Sequence, residues 1–221
     1  MSFILPILAV VIGFLIAYFI KTGKAAIQLL LSFSGALLLS ITVFEFLPKV
    51  YQSYSKTVGL FIMIGILLQV FLEFLSRGAE HGHMHQDPNQ KNFPYLLFIS
   101  LCIHALIEGY PLHENEHLLF GVVIHKIPVA IIISTFLLKA KLSRTKSILF
   151  LVIFALMTPI GSYVNQHFEE LKHIEKYIHA LVIGIFLHVS TTILFESSKN
   201  HQFDFSKTLS IILGICIAYF L

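Results

Sequence analysis

Three side chains able to ligate a metal lie close together in otherwise apolar sequence. His104 and Glu108 occur in LCIHALIEGYP, and His125 occurs in FGVVIHKIPVAIII. His104 and Glu108 are spaced i, i+4, so on a helix they share one face. An imidazole and a carboxylate on one face suit a divalent transition metal, the carboxylate offsetting part of its charge. The competing reading is a His–Glu hydrogen bond that only satisfies two buried groups. Gly109 and Pro111 follow and loosen the helix, and broken helices in a membrane line cavities. This favours ligation. His125 is followed by Lys126 and by Pro128, which removes one backbone hydrogen bond. His104 lies eight residues before Leu112, and His125 lies eight residues after His117. At about 1.5 Å per residue both histidines sit roughly 12 Å from the same end of two antiparallel helices, at one level.

An ionisable group inside a membrane costs a few kcal/mol and is a functional candidate by default. His188, Thr192 and Glu196 form an i, i+4, i+8 stripe with Thr191 beside it. The stripe reads as an ion pathway or as a polar seam in which threonines bond their own backbone. Glu45, just before Pro48, is either a solvated interfacial acid or an entry ligand. Glu73 and His179 are expected at the membrane boundaries. His113-Glu114-Asn115-Glu116-His117 fits H-E-x-x-H, which raises an intramembrane zinc metalloprotease as an enzyme-class alternative. That chemistry needs both histidines on one helical face, a third ligand and a shielded site. The five residues instead occupy a short connector behind Pro111. Glu114 and Glu116 read better as a metal-gathering mouth, against a plain solvated loop. His81, His83 and His85 alternate in RGAEHGHMHQDPNQKN. They bind or sense metal after passage, or belong to a loop that is merely rich in histidine.

The elements that position these residues follow from composition. Of 221 residues, 57% are hydrophobic and 12% charged, and mean hydropathy is +0.85. A soluble domain has about twice that charged fraction. An ordinary cytosolic enzyme, a disordered chain and a nucleic-acid binder are excluded. A membrane span needs roughly 20 apolar residues, and eight segments qualify: 3–20, 25–48, 57–75, 94–112, 117–138, 146–165, 177–197 and 206–221. They use up the chain, so a single transmembrane domain over 1–221 is expected, with a cytoplasmic loop near 76–93. The first segment has no basic start and is followed by Lys21 and Lys24. It is a span rather than a cleavable signal. Ten Lys and Arg residues fall in the first, third, fifth and seventh connectors, four in the second and sixth, and Lys126 lies inside a span. Cations are retained on the cytoplasmic side, so both termini are placed outside and the acidic 113–116 connector faces the exterior. Two cysteines in apolar runs make neither a disulfide framework nor a four-cysteine zinc site.

These features resemble the ZIP family of divalent metal transporters. That family has eight helices, outside termini and a variable, often His-rich third connector. Its fourth-helix signature His-Asn-x-x-Glu-Gly is similar to His104-Ala105-Leu106-Ile107-Glu108-Gly109. Its fifth-helix signature, His-x-x-Pro followed by Glu or His, is similar to His125-Lys126-Ile127-Pro128-Val129. Its His-Leu-Leu-Pro is approached by Glu45-Phe46-Leu47-Pro48, and the stretch from His188 to His201 resembles bacterial members. The resemblance implies an all-α, eight-helix bundle in a bacterial inner membrane, homodimeric, importing metal by alternating access through His104, Glu108 and His125. It implies Zn²⁺ (or Fe²⁺, Mn²⁺, Co²⁺, Cd²⁺) as transported substrate, with no cofactor and no enzyme activity. A metal-sensing receptor is a further alternative that would use the same pocket without flux. Where some members hold a second metal, this chain has Ala105, Lys126 and Thr158. This argues for one metal, with the Lys126 ammonium standing in for the other ion. Val129 replaces the usual ligand after the proline, which leaves a position for water, His188 or Glu45. Protonated imidazoles cannot ligate, so binding is expected to weaken below about pH 6.

Overall fold

The computed structural model describes residues 1–20, 22–52, 55–79, 93–140, 142–196 and 204–221, and of Glu196 only the backbone. Every regular element among them is helical: α1 (Ile4–Phe19), α2 (Lys24–Ile41), α3 (Lys56–Ser76), α4 (Tyr95–Gly109), α5 (Glu116–Lys139), α6 (Arg144–His167), α7 (Glu175–Glu196) and α8 (Phe205–Phe220). With their helical extensions, α2 to α7 are long and apolar enough to cross a membrane; α1 and α8 are shorter apolar helices. At 16 residues each of these two covers about 24 Å, somewhat less than a hydrocarbon core of about 30 Å.

Helix starts follow from capping side chains. Ser55, Asn115, Ser143 and Asp204 each accept a hydrogen bond from a backbone N–H of the first turn that they precede. Interior prolines act differently from place to place. α5 and α6 run unbroken through Pro128 and Pro159, so neighbouring packing overrides the lost hydrogen bonds. α4 does give way after Gly109, to a 3₁₀ turn at Tyr110–His113. α2 does not stop at Pro48 as expected. A π turn, Thr42–Phe46, shifts the backbone register and carries the chain into a last α turn, Leu47–Tyr51, with Pro48 in its first positions. A second 3₁₀ turn, Glu169–Ile174, leads into α7.

The helices pack as two groups. α1, α4, α5 and α6 surround Leu101, Ala105, Ile133, Phe150 and Phe154. α2, α3, α7 and α8, with the start of α5, surround Leu37, Ile41, Val182 and Phe186. The seams between the groups are α2 against α5 and α3 against α4. Glycine pairs allow backbone-to-backbone approach at two crossings. A Cβ on Gly109 would overlap the Thr158 carbonyl, and one on Gly161 the Leu106 carbonyl, which brings α4 onto α6. Gly65 and Gly184 do the same for α3 and α7.

Polarity is arranged inside out. Leu60, Leu67, Phe71 and Phe74 on α3 and Ile148, Leu149 and Val152 on α6 are exposed, while Gln69, His104, Glu108, Lys126 and Thr158 are buried. A chain bathed in hydrocarbon needs this distribution.

Candidate metal centre

The geometry of α4 puts His104 Nε2 3.4 Å from Glu108 Oε2, as their i, i+4 spacing requires. Both residues are buried, at 6% and 2% exposure. Three groups meet Glu108. Lys126 Nζ donates to Oε1, Thr158 Oγ1 donates to the same oxygen at 2.9 Å, and His104 faces the other. Thr158 reaches the carboxylate because Gly109 and Gly161 let α6 close on α4. Lys126 is itself 2% exposed and lies 5.0 Å from the Phe154 ring centroid. Its charge is therefore held by a carboxylate and an aromatic face rather than by water.

Each histidine is braced from the other helix group. His104 Nδ1 is 2.9 Å from Gln69 Oε1 on α3. An amide oxygen only accepts, so Nδ1–H donates to it, and Nε2 is the ring nitrogen that faces Glu108. His125 Nδ1 is 3.4 Å from Ser34 Oγ on α2, and Ser34 Oγ itself donates to the Leu31 carbonyl at 3.2 Å. With that hydrogen engaged, Ser34 Oγ is placed to accept from His125 Nδ1, which would leave Nε2 as the nitrogen able to ligate. Metal-binding histidines are characteristically fixed in this way, by an acceptor on the second nitrogen.

His125 and Lys126 are neighbours on α5, so their side chains diverge by about 100°. Lys126 turns to Glu108 and His125 to α2. Accordingly His104, Glu108 and His125 do not close to mutual ligand distance. Among the described residues, the group of three with ligand atoms all within 4.8 Å of one another is Glu114, Glu175 and His179. Val129 and Ala105 are buried in apolar packing.

The remaining sequence candidates have varied surroundings. Glu45 lies in the π turn with both oxygens 2.9 Å from His117 Nδ1, and His188 Nε2 meets Glu73 Oε2 of α3. Both residues proposed for the fourth position therefore have other partners. Thr191 Oγ1 donates to the Leu187 carbonyl at 2.6 Å, Thr192 is half-buried, and Glu116 is exposed in the first turn of α5. His81, His83, His85 and the Glu196 side chain lie outside the described residues.

The H-E-x-x-H stretch is not one helical face. His113 ends the 3₁₀ turn, Asn115 is extended at φ −141° and caps α5, and His117 lies inside α5. Its Glu114 is engaged by Lys172, at 2.8 Å. Partial burial raises the Glu114 carboxyl pKa, but the Lys172 ammonium outweighs it and holds the group below the usual carboxylate range. His179, expected at the interface, is buried at 8% exposure, because Phe46 and Tyr110 pack against its ring.

Comparison with known proteins agrees with this architecture. The chain matches the ZIP Zinc transporter family over residues 77–221. No curated protein matches it. The chain belongs to the ZIP zinc transporter family. It is an integral, multi-pass membrane protein, and membership supports divalent metal transport rather than an enzyme activity.

Proposed function

We propose that this ZIP family member imports divalent transition-metal ions, Zn²⁺ foremost, through a mid-membrane site made by His104, Glu108 and His125. The observation that carries this reading is the bracing of both histidines. Gln69 and Ser34 lie at hydrogen-bond distance from the two Nδ1 atoms, which supports ligation through Nε2 of each ring, beside a buried carboxylate. Imidazole with one carboxylate suits Zn²⁺ and also Fe²⁺, Mn²⁺, Co²⁺ and Cd²⁺.

External metal is drawn to the acidic end of the bundle, where Glu45, Glu114 and Glu116 lie. It sheds water and takes the place of the Lys126 ammonium as counter-charge to Glu108. Lys126 then balances Glu108 between cargoes, so the carboxylate never stays buried and unpaired. The ligands stand on α4 and α5, whereas their braces stand on α2 and α3. Sliding of α1, α4, α5 and α6 against the other four helices would break the Gln69 and Ser34 contacts and release the histidines from their binding tautomer. Alternating access and metal release are thereby one event. Exit runs past His188, Thr192 and Glu196 to the 76–93 loop, whose His81, His83 and His85 receive the ion. The full reading is a single-domain, eight-span homodimer of the bacterial type, with outside termini, in the inner membrane. Uptake of labelled zinc by cells expressing the chain tests it. His104→Ala and Glu108→Ala should each lose most transport, and preserved transport in both would sink the assignment.

A further inference from the structure

We infer a second divalent-metal site at the connector end of the bundle, in which Glu114, Glu175 and His179 take up an ion in exchange for the Lys172 ammonium. It shares no residue with the mid-membrane site and does not depend on which residues carry the cargo.

The three ligands come from separate pieces of chain. Glu114 follows the 3₁₀ turn after α4, and Glu175 and His179 are i, i+4 on the first turns of α7. One ligand atom from each lies within 4.8 Å of the others. Donors around one zinc, at about 2.0–2.2 Å, stand roughly 3.5 Å apart, so a shift of about 1 Å closes the group. A pair of carboxylates alone would be an ordinary solvated cluster. The imidazole makes the difference. His179 is more than nine-tenths buried, its Nε2 has no hydrogen-bond partner among the described residues, and the ring nevertheless faces two carboxylates. A buried, unsatisfied nitrogen of this kind is rare unless a ligand or water completes it.

A cation already sits in the group. Lys172 Nζ donates to Glu114 Oε1 at 2.8 Å, to Glu175 Oε1 at 3.0 Å and to Asn165 Oδ1 at 3.2 Å. Asn165 Nδ2 also donates to Glu175 Oε1 at 3.1 Å, which orients that carboxylate. Lys172 is on the exposed 3₁₀ turn with a side chain 42% exposed, and Glu114 is 34% exposed. The ammonium can therefore swing into water, and an ion can enter where it leaves. A divalent ion brings twice the charge and also bonds the imidazole, whereas the ammonium is taken up by Glu114, Glu175 and Asn165 and leaves His179 Nε2 without a bond among the described residues.

The test is Co²⁺ titration of the purified full-length chain in detergent, followed by visible absorption and by equilibrium dialysis. Wild type should bind one equivalent more than Glu114→Gln, Glu175→Gln or His179→Gln. Each should weaken that equivalent by on the order of tenfold or more, since even residues behind the ligands cost 10–100-fold. Lys172→Gln should tighten it, and His104→Ala should leave it intact. Glu114 is on the surface, so its variant reports on binding without a folding ambiguity. Wild-type stoichiometry and affinity in Glu114→Gln and Glu175→Gln would overturn the site. Unchanged affinity in Lys172→Gln would overturn the exchange. Loss of all binding in His104→Ala would also overturn the second site, while leaving the transport reading standing.

Discussion

Replacing Lys126 by methionine tests the role given to its ammonium. Lys126 and Glu108 are both 2% exposed, so solvent screens the pair little and Lys126 is the permanent cation on the carboxylate, with Thr158 and His104 as its other neighbours. Removing one member of such a buried pair costs about 3–5 kcal/mol. For a chain of 221 residues, each kcal/mol moves the midpoint by roughly 2–4 °C, so Lys126→Met should melt roughly 6–20 °C below wild type without metal. Zinc then supplies the missing charge. At a hundred times its Kd it returns about 2.7 kcal/mol. In wild type the same ion must first displace Lys126, because two cations beside one carboxylate repel. The expected pattern is a large zinc-induced shift in the variant and a smaller one in wild type, with tighter binding and slower turnover in the variant. Thermal unfolding in detergent at one scan rate, with and without Zn²⁺, reads it. Equal stability without metal, or equal zinc shifts in the two proteins, would refute the exchange of Lys126 for metal.

Gln69 touches no cargo in this account, yet Gln69→Leu should lower zinc affinity by on the order of 10–100-fold through loss of the His104 brace, read by equilibrium dialysis. Gln69→Glu, which restores an acceptor, should recover part of it, which a merely structural role for Gln69 would not produce. Gly161→Ala drives a Cβ into the Leu106 carbonyl and forces α6 away from α4. It should cost about 1–3 kcal/mol and also impair metal binding, because Thr158 leaves Glu108; unfolding and titration check both. Glu114 has a folded pKa below its unfolded value. The unfolded chain therefore binds the proton more readily, and the Lys172 contact stabilises the protein fully only above the ordinary carboxylate value of about 4.3. That contribution disappears as pH falls from there through the folded pKa. Wild type should lose stability over this window more steeply than Lys172→Gln, as measured by unfolding at stepped pH.

The helices and their approximate ends were legible because hydropathy, capping residues and charge all change together at their boundaries. His104 and Glu108 were legible because i, i+4 spacing is enough to place two side chains on one face. Gln69 and Ser34 were not. A lone neutral polar residue in an apolar helix carries no mark of its partner, and theirs lie 35 and 91 residues away. The divergence of His125 from Lys126 follows from helix geometry, but which one would meet Glu108 depends on how α4, α5 and α6 pack. Glu73 is expected at a membrane boundary, whereas α3 packs on α7 and brings it to His188. Glu175 and His179 show the same i, i+4 signature as His104 and Glu108. Hydropathy placed them at a boundary, and the 3₁₀ turn that folds Lys172 back over them had no signal in the apolar pattern. Pro48 misled the end of α2, because a π turn lets the helix absorb it.

The most direct test of the central claim is metal flux into sealed proteoliposomes loaded with a zinc-sensitive dye, comparing wild type with His104→Ala. Zinc entry should saturate in wild type and disappear in the variant. Absence of flux with Zn²⁺, Fe²⁺, Mn²⁺ and Cd²⁺ in a wild-type protein that still binds metal, or undiminished flux in His104→Ala, would contradict it.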